Sequence, residues 1–141
     1  MRTNEIDRLL KGKVHNYLGT FSSDNLPKGK TGLLISNTDP HHLPGTHWIA
    51  IYISEDRRRG EYFDSFGRPP NRHFANYMKE QCLYWTYNSR QLQSVVSTFC
   101  GHYCILFCIC RSRGMPMNNF VRRFSTDTGF NDVVVRKALS I

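Results

Sequence analysis

Three short apolar segments in the middle of the chain constrain its fold more than any other feature of the sequence. They are residues 31–38 (TGLLISNT), 47–54 (HWIAIYIS) and 61–67 (EYFDSFG). Each is rich in β-branched or aromatic residues and is bounded by turn formers, a pattern that predicts a β-strand. The charged linker EDRRRG, residues 55–60, predicts a hairpin turn between the second strand and the third.

Helical patterns lie on both sides of these strands. The predicted helices are residues 3–14, 71–85, 100–113, 118–124 and 132–139. Residues 16–29 (NYLGTFSSDNLPKG) contain two glycines and a proline and are predicted to form a loop. A further short strand is predicted at residues 91–96. Strands in the middle of a chain with helices around them predict an α+β domain.

Length and composition favour one folded domain that spans residues 1–141. The chain is 40% hydrophobic and 13% aromatic, which is typical of a globular protein. Its longest apolar stretch, residues 103–110, is far shorter than the roughly 18 residues of a membrane span. The N-terminus lacks the apolar core of a signal peptide. Five cysteines, an odd count, argue against a closed disulfide framework. We therefore expect a reduced, intracellular protein with no membrane partner.

The charge of the chain leaves two interpretations open. The net charge is +8 and the pI is about 9.5, with basic residues spread along the sequence. Such a charge is either a solvated basic surface or an attraction to a polyanion such as DNA. There is no zinc-finger spacing, RNP-type motif or basic zipper, so recognition of a particular base sequence is not predicted.

Four of the five cysteines lie between residues 91 and 110. A single helix that carries them as CxxxCxxxCxC cannot wrap four ligands around one ion, so no metal site is predicted. Core packing is the better interpretation of Cys104, Cys108 and Cys110. Cys100 differs because it opens the predicted helix, where the partial positive charge favours a thiolate. Gly101 would permit close approach of a substrate backbone. The alternative for Cys100 is a small buried hydrophobic residue.

A nucleophilic thiol needs a base, and the base needs a residue that orients it. Among six histidines, only His47 opens a predicted strand, whereas His102 lies on the helix of Cys100 and points elsewhere. A hairpin would return Asp64 beside His47, where a carboxylate can hold one imidazole nitrogen. Gln93 has an amide that could bind an oxyanion together with the Cys100 N–H. Each of the three residues also has an interpretation without a catalytic role. His47 would then be a partly exposed histidine at a strand end, Asp64 a turn-forming aspartate and Gln93 an isolated glutamine.

The order His-Trp, FDSFG, Gln, Cys-Gly resembles the adenovirus-type maturation protease family, adenain. That family belongs to a clan of cysteine proteases that includes the SUMO-specific and ubiquitin-like proteases. The segments that carry the resemblance are YLGTF (17–21), LLISNT (33–38), GTHW (45–48), FDSFG (63–67) and the interval from Gln93 to Cys100. Together they cover about residues 17–110.

The resemblance implies a papain-like fold with a central, mostly antiparallel sheet flanked by helices. It implies that His47 is the general base, Asp64 its orienting carboxylate, Cys100 the nucleophile and Gln93 an oxyanion donor. Trp48 and Gly101 are expected to line the substrate site. Such enzymes cleave viral capsid and core precursors after small residues such as Gly during virion maturation. We therefore expect a monomer that acts in the virion and in the host nucleus or another assembly site.

The chain departs from the adenoviral members in two respects and shares a third feature with them. It is shorter, which resembles the compact adenain-like proteases of adintoviruses, Maverick/Polinton elements, adomaviruses and virophages. It has CGHYC where the adenoviral form has a CGLFC-like run. In the adenoviral branch an activating peptide forms a disulfide upstream of the nucleophile and DNA is a second cofactor. Cys82 lies eighteen residues before Cys100, the matching spacing, and is either that disulfide partner or an idle buried thiol.

Three other functions remain open at this point. The first is a SUMO or ubiquitin-like deconjugating protease, although such enzymes usually carry Asp-Cys-Gly where this chain has Phe99-Cys100-Gly101. The second is an acetyltransferase, because some bacterial effectors on this clan's fold pass acetyl groups through the same thiol. The third is a DNA-associated virion protein without enzymatic activity.

Overall fold

A computed structural model of the chain describes residues 1–39 and 47–140, which form one five-stranded sheet and the helices around it. The strands are β1 (Tyr17–Phe21), β2 (Gly32–Asn37), β3 (Trp48–Ile53), β4 (Arg59–Phe63) and β5 (Tyr84–Tyr87). The helices are α1 (Thr3–Leu10), α2 (Arg72–Gln81), α3 (Cys100–Ser112), α4 (Met117–Arg122) and α5 (Thr128–Leu139). Within the described residues, no helix has the length and apolar character needed to cross a bilayer.

The sheet has the strand order β1-β2-β3-β4-β5, so every strand pairs with its neighbour in the chain. The pairs β2–β3 and β3–β4 are antiparallel, whereas the outer pairs β1–β2 and β4–β5 are parallel. The sheet is therefore mixed, with an antiparallel centre. The three strands predicted from the apolar segments are this centre, and the predicted hairpin turn connects β3 to β4.

Both faces of the sheet are buried, and alternate residues face opposite sides as a strand's two-residue period requires. Leu33 and Ile35 of β2 join the cluster under α1, α3, α4 and α5. Leu34 between them joins the second cluster, under α2. Because helices cover both faces, β2 is buried along its whole length. This explains why its sequence is mostly apolar and does not alternate between apolar and polar residues.

Helix α3 packs across β2 and β3 on the first face. Cys104 and Cys108 are fully buried there, which agrees with core packing, and Cys110 is half-buried. The rings of Phe107 in α3 and Phe63 in β4 stack at 4.8 Å with an interplanar angle of 2°. This packing fixes the N-terminal end of α3 relative to the central strands.

Two predicted elements are wrong, and a third is confirmed except at its C-terminal end. The predicted loop at residues 16–29 contains β1, which pairs with the buried β2 after an irregularity between Tyr17 and Gly19. The predicted helix 71–85 ends at Gln81, because the aromatic run YWTY favours a strand and forms β5. Residues 91–96 form no strand, because the N–H groups of Leu92 and Gln93 both donate to the Ser65 carbonyl instead of a strand ladder.

The structure leaves undescribed two of the six histidines and part of one motif segment. His41 and His42 lie outside the described residues. So do Gly45 and Thr46, the first half of the GTHW segment.

Candidate active site

The β3–β4 hairpin brings His47 and Asp64 together. His47 immediately precedes β3 and Asp64 immediately follows β4, so both stand at the same end of the antiparallel pair. His47 Nε2 lies 2.8 Å from Asp64 Oδ1, and the exposed fractions of the two residues are 8% and 4%. This is the contact expected between a catalytic imidazole and its orienting carboxylate.

A tight turn after β4 aims the Asp64 carboxylate. The Gly67 N–H donates to the Asp64 carbonyl at 2.7 Å, and the Phe66 N–H donates to Asp64 Oδ1 at 2.8 Å. Gly67 has φ +72°, a conformation that favours glycine. A Cβ on Gly67 would also lie 2.6 Å from the carbonyl carbon of Arg90. Only glycine therefore satisfies both the turn and the close approach of the neighbouring loop.

Asn88 holds the backbone of Asp64 from the other side. Its Oδ1 accepts from the Asp64 N–H at 2.9 Å and its Nδ2 donates to the Asp64 carbonyl at 2.6 Å. Asn88 is 6% exposed, so these bonds are shielded from water. Sequence reasoning missed Asn88, because the predicted helix over residues 71–85 concealed the strand after which it lies. A polar residue directly after an aromatic strand was the signal that could have indicated it.

Cys100 is the first residue of α3 and lies beside His47. Its side chain is 8% exposed. Because Asp64 holds Nε2 of the imidazole, Nδ1 is the nitrogen left for the thiol. Nδ1 is buried and forms no hydrogen bond with any described residue in this structure, and the proximity of Cys100 raises the pKa of His47 while that of His47 lowers the pKa of Cys100.

The pKa shifts favour a thiolate–imidazolium pair. Burial by itself would lower the pKa of His47, but the hydrogen bond with Asp64 and the interaction with Cys100 outweigh it and raise that pKa to about 9. Burial would by itself raise the pKa of Cys100. The interactions with His47 and with the backbone of Trp48 and Gly101 outweigh it, so the pKa of the thiol lies below its usual value. The arrangement can therefore supply a sulfur nucleophile and a proton donor together.

Trp48 and Gly101, the two predicted substrate-site residues, contact each other beside Cys100. A Cβ on Gly101 would lie 3.3 Å from Trp48 Cδ1 and 3.2 Å from Met1 Sδ. The Trp48 indole N–H also donates to the Met1 carbonyl at 3.2 Å. There is thus little space beside the sulfur. A side chain at residue 101 would fill the space that remains.

Gln93 is fully buried in the loop before α3. Its Oε1 accepts from the Ser65 hydroxyl at 2.5 Å, and its Nε2 lies 3.0 Å from the Ser97 carbonyl and 3.2 Å from the Ser97 hydroxyl. Through Ser65, which follows Asp64 in the chain, the Gln93 loop is attached to the Asp64 turn. Sequence reasoning missed this role of Ser65. The oxyanion role of Gln93 stays a prediction.

Cys82 and His102 stand apart from this group. Cys82 follows α2 and belongs to the core on the opposite sheet face from Cys100. It is 8% exposed, its Sγ lies 3.2 Å from the Met78 carbonyl, and burial raises the pKa of the thiol. His102 packs edge-on against Phe99 on α3, away from the base position. Its pKa is lowered by burial and by nearby positive charge.

The chain is similar in sequence to viral proteases, and the predicted resemblance is confirmed. It is 27% identical to the protease of Bovine adenovirus 4, over 75% of this chain and 62% of that protein. It is 30% identical to a putative thiol protease of Acanthamoeba polyphaga mimivirus, over 62% of this chain and 32% of that protein. It is 26% identical to the protease of Bovine adenovirus 7, over 69% of this chain and 56% of that protein. The chain thus spans less than two thirds of each relative. No protein-family model matches it.

Solved structures confirm the predicted α+β fold class. Two crystal structures of an ASFV protease match the chain with a TM-score of 0.55 each, at 19% and 23% sequence identity. The matches cover 74% and 73% of this chain and 43% and 41% of the ASFV protein. The chain therefore has the fold of that protease, with five strands and the helices on both sheet faces.

Proposed function

We propose that the chain is a cysteine endopeptidase with Cys100 as nucleophile, His47 as general base and acid, and Asp64 as the orienting carboxylate. The observation that carries this proposal is the Cys100 thiol at the start of α3, beside an imidazole whose far nitrogen is held by Asp64 at 2.8 Å. A nucleophile, an imidazole and a side chain that orients the imidazole recur in these roles in proteases on unrelated folds.

The reaction proceeds by acyl transfer. The Cys100 thiolate attacks the carbonyl carbon of the scissile peptide bond, and His47 then gives its proton to the leaving amine. A water molecule, deprotonated by His47, hydrolyses the resulting thioester and releases the second product. Asp64 stays ionised throughout and stabilises the imidazolium form.

In this mechanism the oxyanion of the tetrahedral intermediate binds at the N-terminus of α3. The backbone N–H of Cys100 supplies one donor, and the side-chain amide of Gln93 supplies another. Nε2 of Gln93 lies close to Ser97, so one of its two N–H groups has to turn toward the oxyanion as that intermediate forms. The attachment of Gln93 to Ser65 keeps its carbonyl end in place during this change.

We propose viral capsid and core precursor polypeptides as substrates, cleaved after small residues such as Gly. The support is the similarity to viral proteases and the narrow space around the sulfur, where Cys100, His47 and Trp48 are all less than a tenth exposed. The proposed places of action are the virion and the assembly site in the host cell. A small residue before the scissile bond passes beside Trp48 with the least displacement of its neighbours.

The test uses a fluorogenic peptide with Gly-Gly before the scissile bond. The purified chain should hydrolyse it, and the same chain with Cys100→Ala should not. Cys110→Ala, a change at a half-buried cysteine of the same helix, is the matched control and should retain activity. If the unaltered chain and the Cys100→Ala variant release fluorophore equally slowly, the proposal is wrong.

The same preparation separates the rival functions. A deconjugating protease would react with SUMO- or ubiquitin-derived probes in preference to the short peptide. An acetyltransferase would become labelled at Cys100 by radioactive acetyl-CoA. A DNA-associated virion protein without enzymatic activity would neither react with the probes nor become acetylated, and it would still bind DNA.

DNA and an activating peptide are proposed as activity-enhancing partners on the basis of the resemblance. The net charge of +8 fits a non-specific attraction to DNA, which should weaken as salt is raised. A disulfide between the peptide and Cys82 needs movement at the end of α2, because the thiol lies under β4. Full activity of Cys82→Ser without added peptide, equal to the peptide-treated parent, would remove this part of the proposal.

A further inference from the structure

Phe66 acts on the His47–Asp64 pair through both its side chain and its main chain. Its ring is stacked on the His47 imidazole, with centroids 5.0 Å apart and an interplanar angle of 28°. Its N–H donates to Asp64 Oδ1, the same oxygen that contacts His47 Nε2. Phe66 is half-buried and packs against one face of the imidazole.

Arg68 contacts the two residues that hold His47. Its guanidinium carbon lies 4.9 Å from the centroid of the Phe66 ring, within the range of a cation–π contact. Its Nε lies 3.8 Å from Asp64 Oδ2, the oxygen that His47 does not use. The Gly67 turn between Phe66 and Arg68 permits both contacts at once. Four side chains thus form a closed ring of contacts: His47–Asp64–Arg68–Phe66–His47.

A hydrogen bond at one nitrogen does not by itself fix the plane of an imidazole. The torsion between a histidine's Cβ and its ring is broad, so the ring can pivot about the Nε2 contact with Asp64. A flat ring against one face of the imidazole restricts that pivot and keeps Nδ1 directed at the sulfur. The Arg68 contact in turn resists rotation of Phe66 toward solvent.

We propose that Phe66 and Arg68 are positioning residues that hold the His47 ring in the plane required for proton exchange with Cys100. The inference rests on the proposed protease function and adds two residues to its machinery. Neither has to touch the reacting atoms. Among the described residues, the titratable groups that interact with His47 are Asp64 and Cys100, and Arg68 contacts Asp64, so a change at Phe66 removes none of these charges.

The experiment measures the rate at which iodoacetamide alkylates Cys100 as a function of pH, together with kcat and KM on the fluorogenic peptide. The variants are Phe66→Leu, Phe66→Tyr and Arg68→Gln. Arg113→Gln is the matched control, because Arg113 is exposed at the far end of α3, about 20 Å from Cys100. Alkylation needs only the thiolate, so it reports the Cys100–His47 pair without any substrate pocket.

With Phe66→Leu, the acid limb of alkylation should move up by about half to one pH unit, toward an ordinary thiol. In the same variant kcat should fall about 3- to 10-fold, with KM within about twofold of the parent. Phe66→Tyr, which keeps the ring, should restore both values. Arg68→Gln should lower kcat about two- to fivefold, and Arg113→Gln should change nothing.

An unchanged acid limb and an unchanged kcat in Phe66→Leu would overturn the inference. If that variant fails to fold, the comparison of Arg68→Gln with Arg113→Gln decides the matter, since both changes are at exposed arginines. Equal activities of these two variants would then reject it. A shifted alkylation limb in a chain that cleaves no peptide would reject the protease function and leave the positioning role intact.

Discussion

His47 Nε2 lies 2.8 Å from Asp64 Oδ1 although seventeen residues separate the two in the chain. The contact is made by backbone geometry, because one residue opens β3 and the other closes β4 of the same hairpin. Asn88 and Gly67 then hold the Asp64 backbone in place. The proposed catalytic pair thus depends on the centre of the sheet.

Removal of the Cys100 sulfur should abolish peptide hydrolysis. Cys100→Ala should lower kcat/KM at least about 1000-fold, because neither His47 nor Asp64 can form the thioester. The thermal unfolding midpoint should change little, since the site loses one small side chain. Near-parental kcat/KM in this variant would assign the nucleophile elsewhere in the chain.

Activity should follow a bell-shaped dependence on pH. The rate should rise as Cys100 loses its proton at a pH below the usual thiol range, because its pKa is lowered. It should fall as His47 loses its proton near pH 9, because the pKa of the imidazole is raised to about 9 and the leaving amine then has no proton donor. The profile of kcat/KM from pH 5 to 10 checks both limbs. A single rise near the ordinary thiol pKa would contradict the ion pair.

Loss of the Asn88 side chain should damage both stability and activity. Asn88→Ala leaves the Asp64 N–H buried without a partner and leaves the Asp64 carbonyl with only the Gly67 N–H, which should cost about 1–3 kcal/mol of the free energy of unfolding. Urea unfolding measures this loss, and the fluorogenic assay measures the fall in kcat. Asn76→Ala, at an exposed position on α2, is the control and should change the free energy by less than about 0.5 kcal/mol. Equal unfolding curves for the two variants would show that the Asn88 bonds contribute nothing.

Gln93 should contribute to kcat more than to substrate binding. Gln93→Ala should lower kcat about 100-fold with little change in KM, as expected when one oxyanion donor is removed. It should also lower the unfolding midpoint, because Ser65 loses a buried partner. Ser65→Ala separates the two effects, since it breaks the same contact and keeps the amide. If Ser65→Ala and Gln93→Ala lower kcat equally, Gln93 only holds its loop against Ser65 and does not bind the oxyanion.

A side chain at residue 101 should hinder substrate binding. In Gly101→Ala the new Cβ would lie within 3.3 Å of Trp48 and Met1, which crowds the space beside the sulfur. We expect KM to rise at least about fivefold, since overpacking of this kind costs about 1–3 kcal/mol. Gly129→Ala, where the nearest atom would be Asp127 Oδ1 at 3.5 Å, is the control and should leave KM unchanged. A parental KM in Gly101→Ala would place the substrate elsewhere.

Much of the fold could be predicted from local patterns. The strands β2, β3 and β4 and helix α3 were predicted because their apolar periods and turn formers are strong. The edge strands β1 and β5 were missed because they pair on one side only and carry exposed or polar positions. Residues 91–96 have strand-like composition, but the N–H groups of Leu92 and Gln93 donate to the Ser65 carbonyl in the turn after β4. Such a tertiary partner leaves no sign in the local sequence.

Local sequence patterns are enough to predict the hairpin that joins His47 to Asp64, the helix that begins at Cys100 and the burial of Cys104 and Cys108, because these follow from residue periodicity and turn chemistry over a few positions. The support that Asn88, Ser65, Phe66 and Arg68 give the site depends instead on how distant segments pack. Their contacts join side chains to specific atoms of neighbouring loops, and hydrogen-bond and stacking geometry has no repeating pattern along a chain.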